Sequence, residues 1–300
     1  MVDQPRPPMR RYAGQITDND IWDRFRIRPG DIFVCTPPKC GTTWMQTILR
    51  MMATGRADPS VYDNRVSPWL DAGFRDRDAQ AEILQAQSER RVIKTHTPID
   101  GITFDPKATY IAVYRHPIDA HLSFRTHAEN MTVDMLGFMF PEDVGDGVRR
   151  FIRHADTSHG TDDLNLASFV AHYNGFRDAA RHENVHLFHY ADLSRDLAGE
   201  VARLAGLIGL DLPQKAIREI ADAAGFSSMR AHAESLTRAP GFETAFKDPA
   251  KFFADGTSRK WVGRVSDADL RAYEDRMDAL VSPRDRAWLE GGNRAHGPGA

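Results

Sequence analysis

Three short segments concentrate residues able to handle a dense negative charge. The first, Pro37-Pro-Lys-Cys-Gly-Thr-Thr-Trp44, runs straight into apolar residues at helical spacing. A glycine there lets the backbone approach a ligand closely. The free N–H groups of a helix start, backed by the positive end of its dipole, suit an anion. Thr42 and Thr43 add hydroxyl donors, and Lys39 and Cys40 lie just before Gly41. The pattern is a phosphate cradle, yet not the Walker arrangement, in which the lysine directly follows the last glycine. A plainer reading has Thr42 capping a helix and Lys39 in solvent. The second segment is Lys94-Thr-His-Thr-Pro98. A spacing of two puts Lys94 and His96 on one face of a strand. The third, Tyr114-Arg-His-Pro-Ile-Asp-Ala-His-Leu-Ser123, sends Arg115 off a strand end and sets Ser123 two turns into the next helix. An arginine fork with a hydroxyl can hold a second phosphate, with Asp119 placed to cap or orient Arg115. The chain has 39 Lys and Arg, only seven of them lysine, so Lys39 and Lys94 stand out.

These residues need strand ends to hold them. Residues 31–36, 91–95, 109–114 and 185–190 read as strands, the third nearly continuous in apolar side chains, as a buried parallel strand should be. Helical spacing follows at 42–52, at 118–126 behind Pro117, and at 193–208, 212–224 and 267–280. Strands alternating with helices predict a single α/β domain, doubly wound, with a central, mostly parallel sheet flanked by helices and a P-loop-like anion loop. Such sheets bind ligands beyond the carboxyl ends of their strands. The domain is expected over 21–290, with fraying tails at 1–20 and 291–300, which are rich in Pro, Gly and charge.

Composition narrows the function. The chain has 300 residues, 41% hydrophobic and 27% charged, with a net charge of −3. That excludes wholesale disorder and gives no global basic field to draw the chain to nucleic acid or anionic membrane. Two cysteines, Cys35 and Cys40, lack the spacing of a structural zinc site and suggest a reducing compartment. The start has no apolar signal region and no run approaches a spanning helix, so a cytoplasmic location without a membrane span is expected.

Taken in order, the segments resemble the cytosolic-type sulfotransferase family, which uses 3′-phosphoadenosine 5′-phosphosulfate (PAPS). Pro38-Lys-Cys-Gly-Thr-Thr-Trp44 is similar to its 5′-phosphosulfate loop, Lys94-Thr-His96 to its catalytic strand, and Arg115 with Ser123 to its 3′-phosphate pair. Tyr190-Ala-Asp-Leu193 and Phe226-Ser-Ser-Met229 resemble segments that approach the adenosine. The likeness runs from about residue 30 to 275, and Val66-Ser-Pro-Trp-Leu-Asp71 is especially similar to bacterial glycolipid-type members. In Phe253-Ala-Asp-Gly-Thr-Ser-Arg-Lys-Trp261 the family's glycine aligns with Gly256, but Ala254 and Asp255 stand where a basic pair is usual. Arg259 and Lys260 are the nearby substitutes. The family's short dimer motif is absent at Val262 and Ser266-Asp267, which leaves the oligomeric state open.

By analogy with in-line phosphoryl transfer, sulfonate transfer needs a base, charge on the leaving oxygen and charge on the sulfonate oxygens. His96, with an ordinary pKa near 6.5, suits the first role. Lys39 suits the second, and Lys94 the third or the acceptor oxygen. The resemblance implies PAPS as co-substrate, PAP as product, and no metal. Trp44 offers adenine a ring face. Trp69, Phe74, Phe104, Phe124, Met131, Met135, Phe138, Met139 and Phe140 are candidate acceptor-lining residues, the last five in a Met-rich run suited to varied apolar ligands. The expected acceptor is the hydroxyl of a lipophilic alcohol, a phenol or a glycolipid. Two alternatives remain at this point. A P-loop kinase would need a Lys directly before Ser/Thr and a carboxylate for Mg²⁺. A non-catalytic adenine-nucleotide binder would bind without turnover.

Overall fold

The computed structural model describes residues 4–14, 16–133, 140–154, 162, 164–237, 245–253 and 256–293. Its strands are β1 (Ile32–Cys35), β2 (Val92–Thr95), β3 (Thr109–Tyr114) and β4 (Val185–His189). All pair in parallel, in the order β2-β1-β3-β4. Val34 sits opposite Lys94, Cys35 opposite Thr95 and Ala112, and Tyr114 opposite His189. The chain leaves β1 for β2 on one side and returns as β3 on the other. That reversal opens a crevice at the carboxyl ends of the strands.

The helices are α1 (Thr42–Thr54), α2 (Arg77–Ala86), α3 (Pro117–Glu129), α4 (Val144–Arg153), α5 (Leu166–Ala179), α6 (Tyr190–Arg195), α7 (Leu197–Leu207), α8 (Gln214–Ala223), α9 (Phe226–Ala231), α10 (Ala233–Thr237), α11 (Asp267–Leu280) and α12 (Pro283–Gly291). Alternate strand residues feed two cores. Ile32 and Val34 pack with Met45, Ile48 and Leu49 of α1 and with Val201 and Ile220 of α7 and α8. Phe33 and Cys35 face the other way, against Ile118 and Leu122 of α3, Phe151 of α4 and Phe169 and Phe176 of α5. Burial on both faces explains the continuous apolar run of β3. At the amino ends of β1 and β2, Asp31 and Arg91 form an ion pair with side chains only 3% and 1% exposed.

Three details depart from the sequence reading. The helix expected at 193–208 is two, α6 and α7, because Asp196 turns out of helical backbone and accepts from the Gly199 N–H at 2.9 Å to start the second. Residues 6–14 and 16–19, expected to fray, are stitched to the body. Arg6 and Phe104 exchange backbone hydrogen bonds of 2.7 and 2.9 Å, Asn19 Nδ2 donates to the Gly101 carbonyl at 2.6 Å, and Tyr12 is buried. Phe104 belongs to this core, stacked on Tyr110 at 5.2 Å, and not to an acceptor wall. Among the described residues no helix is long and apolar enough to cross a membrane.

Candidate active site

The first loop turns on two left-handed residues, Lys39 (φ 66°) and Gly41 (φ 103°). Gly41, not Thr42, is the N-cap of α1, and no side chain caps it. The first-turn N–H groups of α1 are therefore left for a ligand. A Cβ at position 41 would lie 3.3 Å from Cδ2 of Tyr190, so both the backbone angle and the neighbour require glycine. The Thr42 hydroxyl bonds that of Thr36 at 2.5 Å. Gly41, Thr42, Thr43 and Trp44 line one cavity of about 640 Å³. Cys40 does not: its thiol is fully buried, near the Pro38 carbonyl.

The end of β2 supplies Lys94 and His96, and both line the same cavity. His96 Nδ1 donates to the Thr36 carbonyl at 2.6 Å, which leaves Nε2 as the lone-pair nitrogen. Burial, then the charge of Lys94, pushes the imidazole well below its ordinary pKa, so it is neutral in the ligand-free site. Trp69 packs edge-on to this ring at 4.7 Å and receives the Lys94 ammonium over its own ring at 4.4 Å. What fixes Trp69 is the 66–71 segment. Backbone bonds Lys94 N to Pro68 O (2.9 Å) and Leu70 N to Lys94 O (3.0 Å) lay it along β2. Asp71, fully buried, accepts from Trp69 Nε1, Trp22 Nε1, Thr95 Oγ1 and Thr97 Oγ1 at 2.6–2.9 Å. Burial raises its carboxyl pKa while these donors hold it down.

Lys39 and Lys94 are both lowered to about 7, chiefly by burial. Neighbouring cations add to this, Lys94 and Arg115 for Lys39, and Arg75 for Lys94. Lys39 Nζ lies 3.3 Å from His127 Nδ1 and 4.3 Å from the centre of the Phe252 ring. Among the described lining residues there is no Asp or Glu.

Arg115 leaves β3 buried, donates from Nη2 to the Thr257 carbonyl at 2.6 Å, and lies over the Tyr190 ring at 4.3 Å. Ser123 shares the cavity wall. Asp119 does not hydrogen-bond Arg115. It accepts the backbone N–H groups of Arg259 and Lys260, both at 2.7 Å, and so ties that segment over the end of β3. Arg259 is left-handed (φ 63°), with its guanidinium 5.7 Å from the Trp261 ring, and is not among the lining residues. Ala254 and Asp255 lie outside the described residues. Tyr190, Phe226, Met229 and Gly256 all line the cavity. The Tyr190 hydroxyl donates to Gly256 O at 3.3 Å, its ring meets Trp44 at 5.4 Å, and a Cβ on Gly256 (φ 67°) would strike the Phe226 ring at 2.5 Å. Trp44 itself is anchored through Nε1 to the Ala224 carbonyl at 2.8 Å.

Of the expected acceptor residues, Trp69, Phe74, Phe124 and Met131 line the cavity. Phe140 packs edge-on to Phe124 at 5.4 Å without lining it. Met135, Phe138 and Met139 lie outside the described residues. The sequence reading missed Tyr62, Arg75, His127, Phe246 and Phe252 among others that line it. Only His127 had a signal, its i+4 spacing from Ser123 on α3.

Comparison with known proteins identifies relatives of the chain. The model of the sulfotransferase domain matches residues 29–283. A glycolipid sulfotransferase of Mycobacterium bovis (strain BCG / Pasteur 1173P2) is 31% identical, with 96% of each chain covered. Sulfotransferase 2B1 of Homo sapiens is 29% identical over 83% of this chain and 65% of its own. Among solved structures, mouse sulfotransferase SULT7A1 complexed with PAP superposes with a TM-score of 0.68 at 20% identity, covering 88% of this chain and 89% of its own. Retinol dehydratase in complex with androsterone and inactive cofactor PAP gives 0.66 at 17% identity, covering 88% and 84%. The chain therefore belongs to the sulfotransferase family and is an enzyme of sulfonate transfer.

Proposed function

We propose that the donor is PAPS and that the acceptor is a hydroxyl on a lipophilic molecule, an alcohol, a phenol or a glycolipid. One observation carries this reading. A single cavity joins an uncapped helix start and a buried arginine to a base, two lysines and a wall of Trp69, Phe74, Phe124 and Met131. The glycolipid activity named for the bacterial relatives and the PAP in the solved neighbours support it.

In this reading Arg115 and Ser123 hold the 3′-phosphate, and the α1 amides with Thr42 and Thr43 hold the phosphosulfate. Trp44, Tyr190, Phe226 and Met229 flank the adenosine, against the backbone of Gly256. Cys40 and Arg259 contribute through backbone, the first by shaping the loop and the second by donating to Asp119. The acceptor oxygen attacks sulfur in line. A new S–O bond forms as the S–O bond to the 5′-phosphate breaks. The acceptor proton passes to Nε2 of His96, and PAP and a sulfate ester result. Lys39 balances charge on the leaving oxygen and Lys94 on the sulfonate oxygens. His96 is a base already neutral and already in the correct tautomer, because Thr36 engages Nδ1.

The test is binding, then turnover. PAP in the presence of EDTA is expected to stabilise the fold by about 2.7 kcal/mol at 100 times its Kd. A melt shifted by ATP–Mg²⁺ and not by PAP would overturn the donor assignment. Labelled PAPS offered with a panel of alcohols, phenols and glycolipids then reads the acceptor class, and transfer only to polar acceptors would overturn that half.

A further inference from the structure

Lys39 differs from the other cations of the site in what it touches. Arg115 has a carbonyl, and Lys94 has the ring of Trp69. Lys39 Nζ has Nδ1 of His127 at 3.3 Å and the face of Phe252 at 4.3 Å. Among the described residues no carboxylate pairs with it. His127 stands on α3 one turn beyond Ser123, with Phe246 and Phe252 at ring distances of 5.1 and 5.4 Å and Phe124 at 6.3 Å. Burial and the charge of Lys39 keep its imidazole neutral, so Nδ1 can present a lone pair to the ammonium. A desolvated cation without an anion is costly, and a neutral nitrogen with a ring face offsets only part of that cost. An incoming phosphosulfate supplies the missing anion and therefore competes for Nζ.

We infer that His127 is a positioning residue that holds Lys39 on the acceptor side of the cavity in the donor-free enzyme and gives it up when the donor enters. The inference rests on the PAPS reading above, and the experiment separates the two. PAP affinity is measured by calorimetry on the wild-type enzyme and on His127→Phe, which keeps a ring but removes the nitrogen. Loss of the competing hydrogen bond should tighten PAP binding about three- to tenfold. His127→Gln, whose amide oxygen can accept from Lys39, should return affinity towards the wild-type value. In a Lys39→Met background the substitution at 127 should have no effect on PAP. A merely structural role for His127 predicts the opposite sign, weaker binding with a lowered melting temperature. If wild-type enzyme does not bind PAP, the donor assignment fails and the inference with it. If wild-type enzyme binds PAP and His127→Phe binds equally or more weakly, the donor assignment stands and the inference is overturned. Should His127→Phe not fold, His127→Met carries the same expectation and the same refutation.

Discussion

Asp71 offers the most exposed test of how this site is held together. Its Oδ2 accepts from Trp22 Nε1 at 2.9 Å, Thr95 Oγ1 at 2.6 Å and Thr97 Oγ1 at 2.7 Å, and Oδ1 accepts from Trp69 Nε1 at 2.7 Å. All four neighbours donate, so the group must serve as an acceptor on both oxygens. Asp71→Asn keeps the shape, and its amide oxygen goes to the side with three donors. Its NH₂ then meets the Trp69 N–H, donor against donor. One charge-assisted bond is lost and a buried donor is stranded, for a destabilisation of about 3 kcal/mol or more. Trp69→Phe removes the opposing N–H. In that background Asp71→Asn should cost less by about 1–3 kcal/mol, an interaction energy that a double-mutant cycle isolates. Urea unfolding of the four proteins, extrapolated to water, measures it, provided the slope is common to all. The single variant should also lose kcat, since Trp69 backs both His96 and Lys94. Additive effects, with coupling below about 0.5 kcal/mol, would refute the assignment of Asp71 as the anchor of Trp69.

Three further outcomes follow from the same geometry. His96→Asn can still donate to the Thr36 carbonyl but cannot take a proton, so kcat should fall by about 10²–10⁴-fold while PAP affinity holds. An enzyme at half activity on an aliphatic alcohol would remove His96 from the role. Lys39 and Lys94 stand near 7 without ligand, and an anionic nucleotide raises both, so PAP binding should take up protons and weaken as pH climbs above about 7. Calorimetry in buffers of different ionisation enthalpy reads this, and proton release would contradict it. Gly41→Ala places a side chain at φ 103° and 3.3 Å from Tyr190. It should cost about 1–2 kcal/mol in stability and loosen PAP, whereas an unchanged melt and Kd would show that the loop does not need its left-handed turn.

The sheet and the anion loop were legible because both are local statements. A parallel strand buried on both faces must be apolar along its length, as Ile111, Ala112 and Val113 are, and the residue after it must leave at the ligand end. Strand ends singled out Lys94, His96 and Arg115, the loop chemistry singled out Lys39, and all four line the cavity. Residues that act through tertiary contact were not found that way. Phe246 and Phe252 reach the cavity from a stretch with no period to read, and Phe104 looked like any other aromatic until β3 and the segment around Arg6 enclosed it. Asp71 was visible as part of a family-like segment, but nothing in the chain says that two tryptophans and two threonines converge on it. The break at Asp196 was missed because apolar spacing continues across it, and the capping carboxylate outweighs the pattern. Arg259 was expected to supply side-chain charge, whereas its backbone N–H is what the fold uses.

The contact between Arg115 and the Thr257 carbonyl also sets an order of events in synthesis. Every strand of the sheet has emerged by His189, and α7 and α8 on one face follow soon after, whereas Tyr273 and Met277 of α11 and Leu289 of α12 join the core of the other face last. The carbonyl that orients Arg115, and the glycine against which Tyr190 and Phe226 close, come much later in the chain. A nascent chain halted before position 256 would thus lack the carbonyl that orients Arg115 as well as the part of one core that α11 and α12 supply. In the proposed reading, donor capture is therefore expected only of chains that extend past this point, and ribosome-stalled chains of graded length can be assayed for it with labelled PAP.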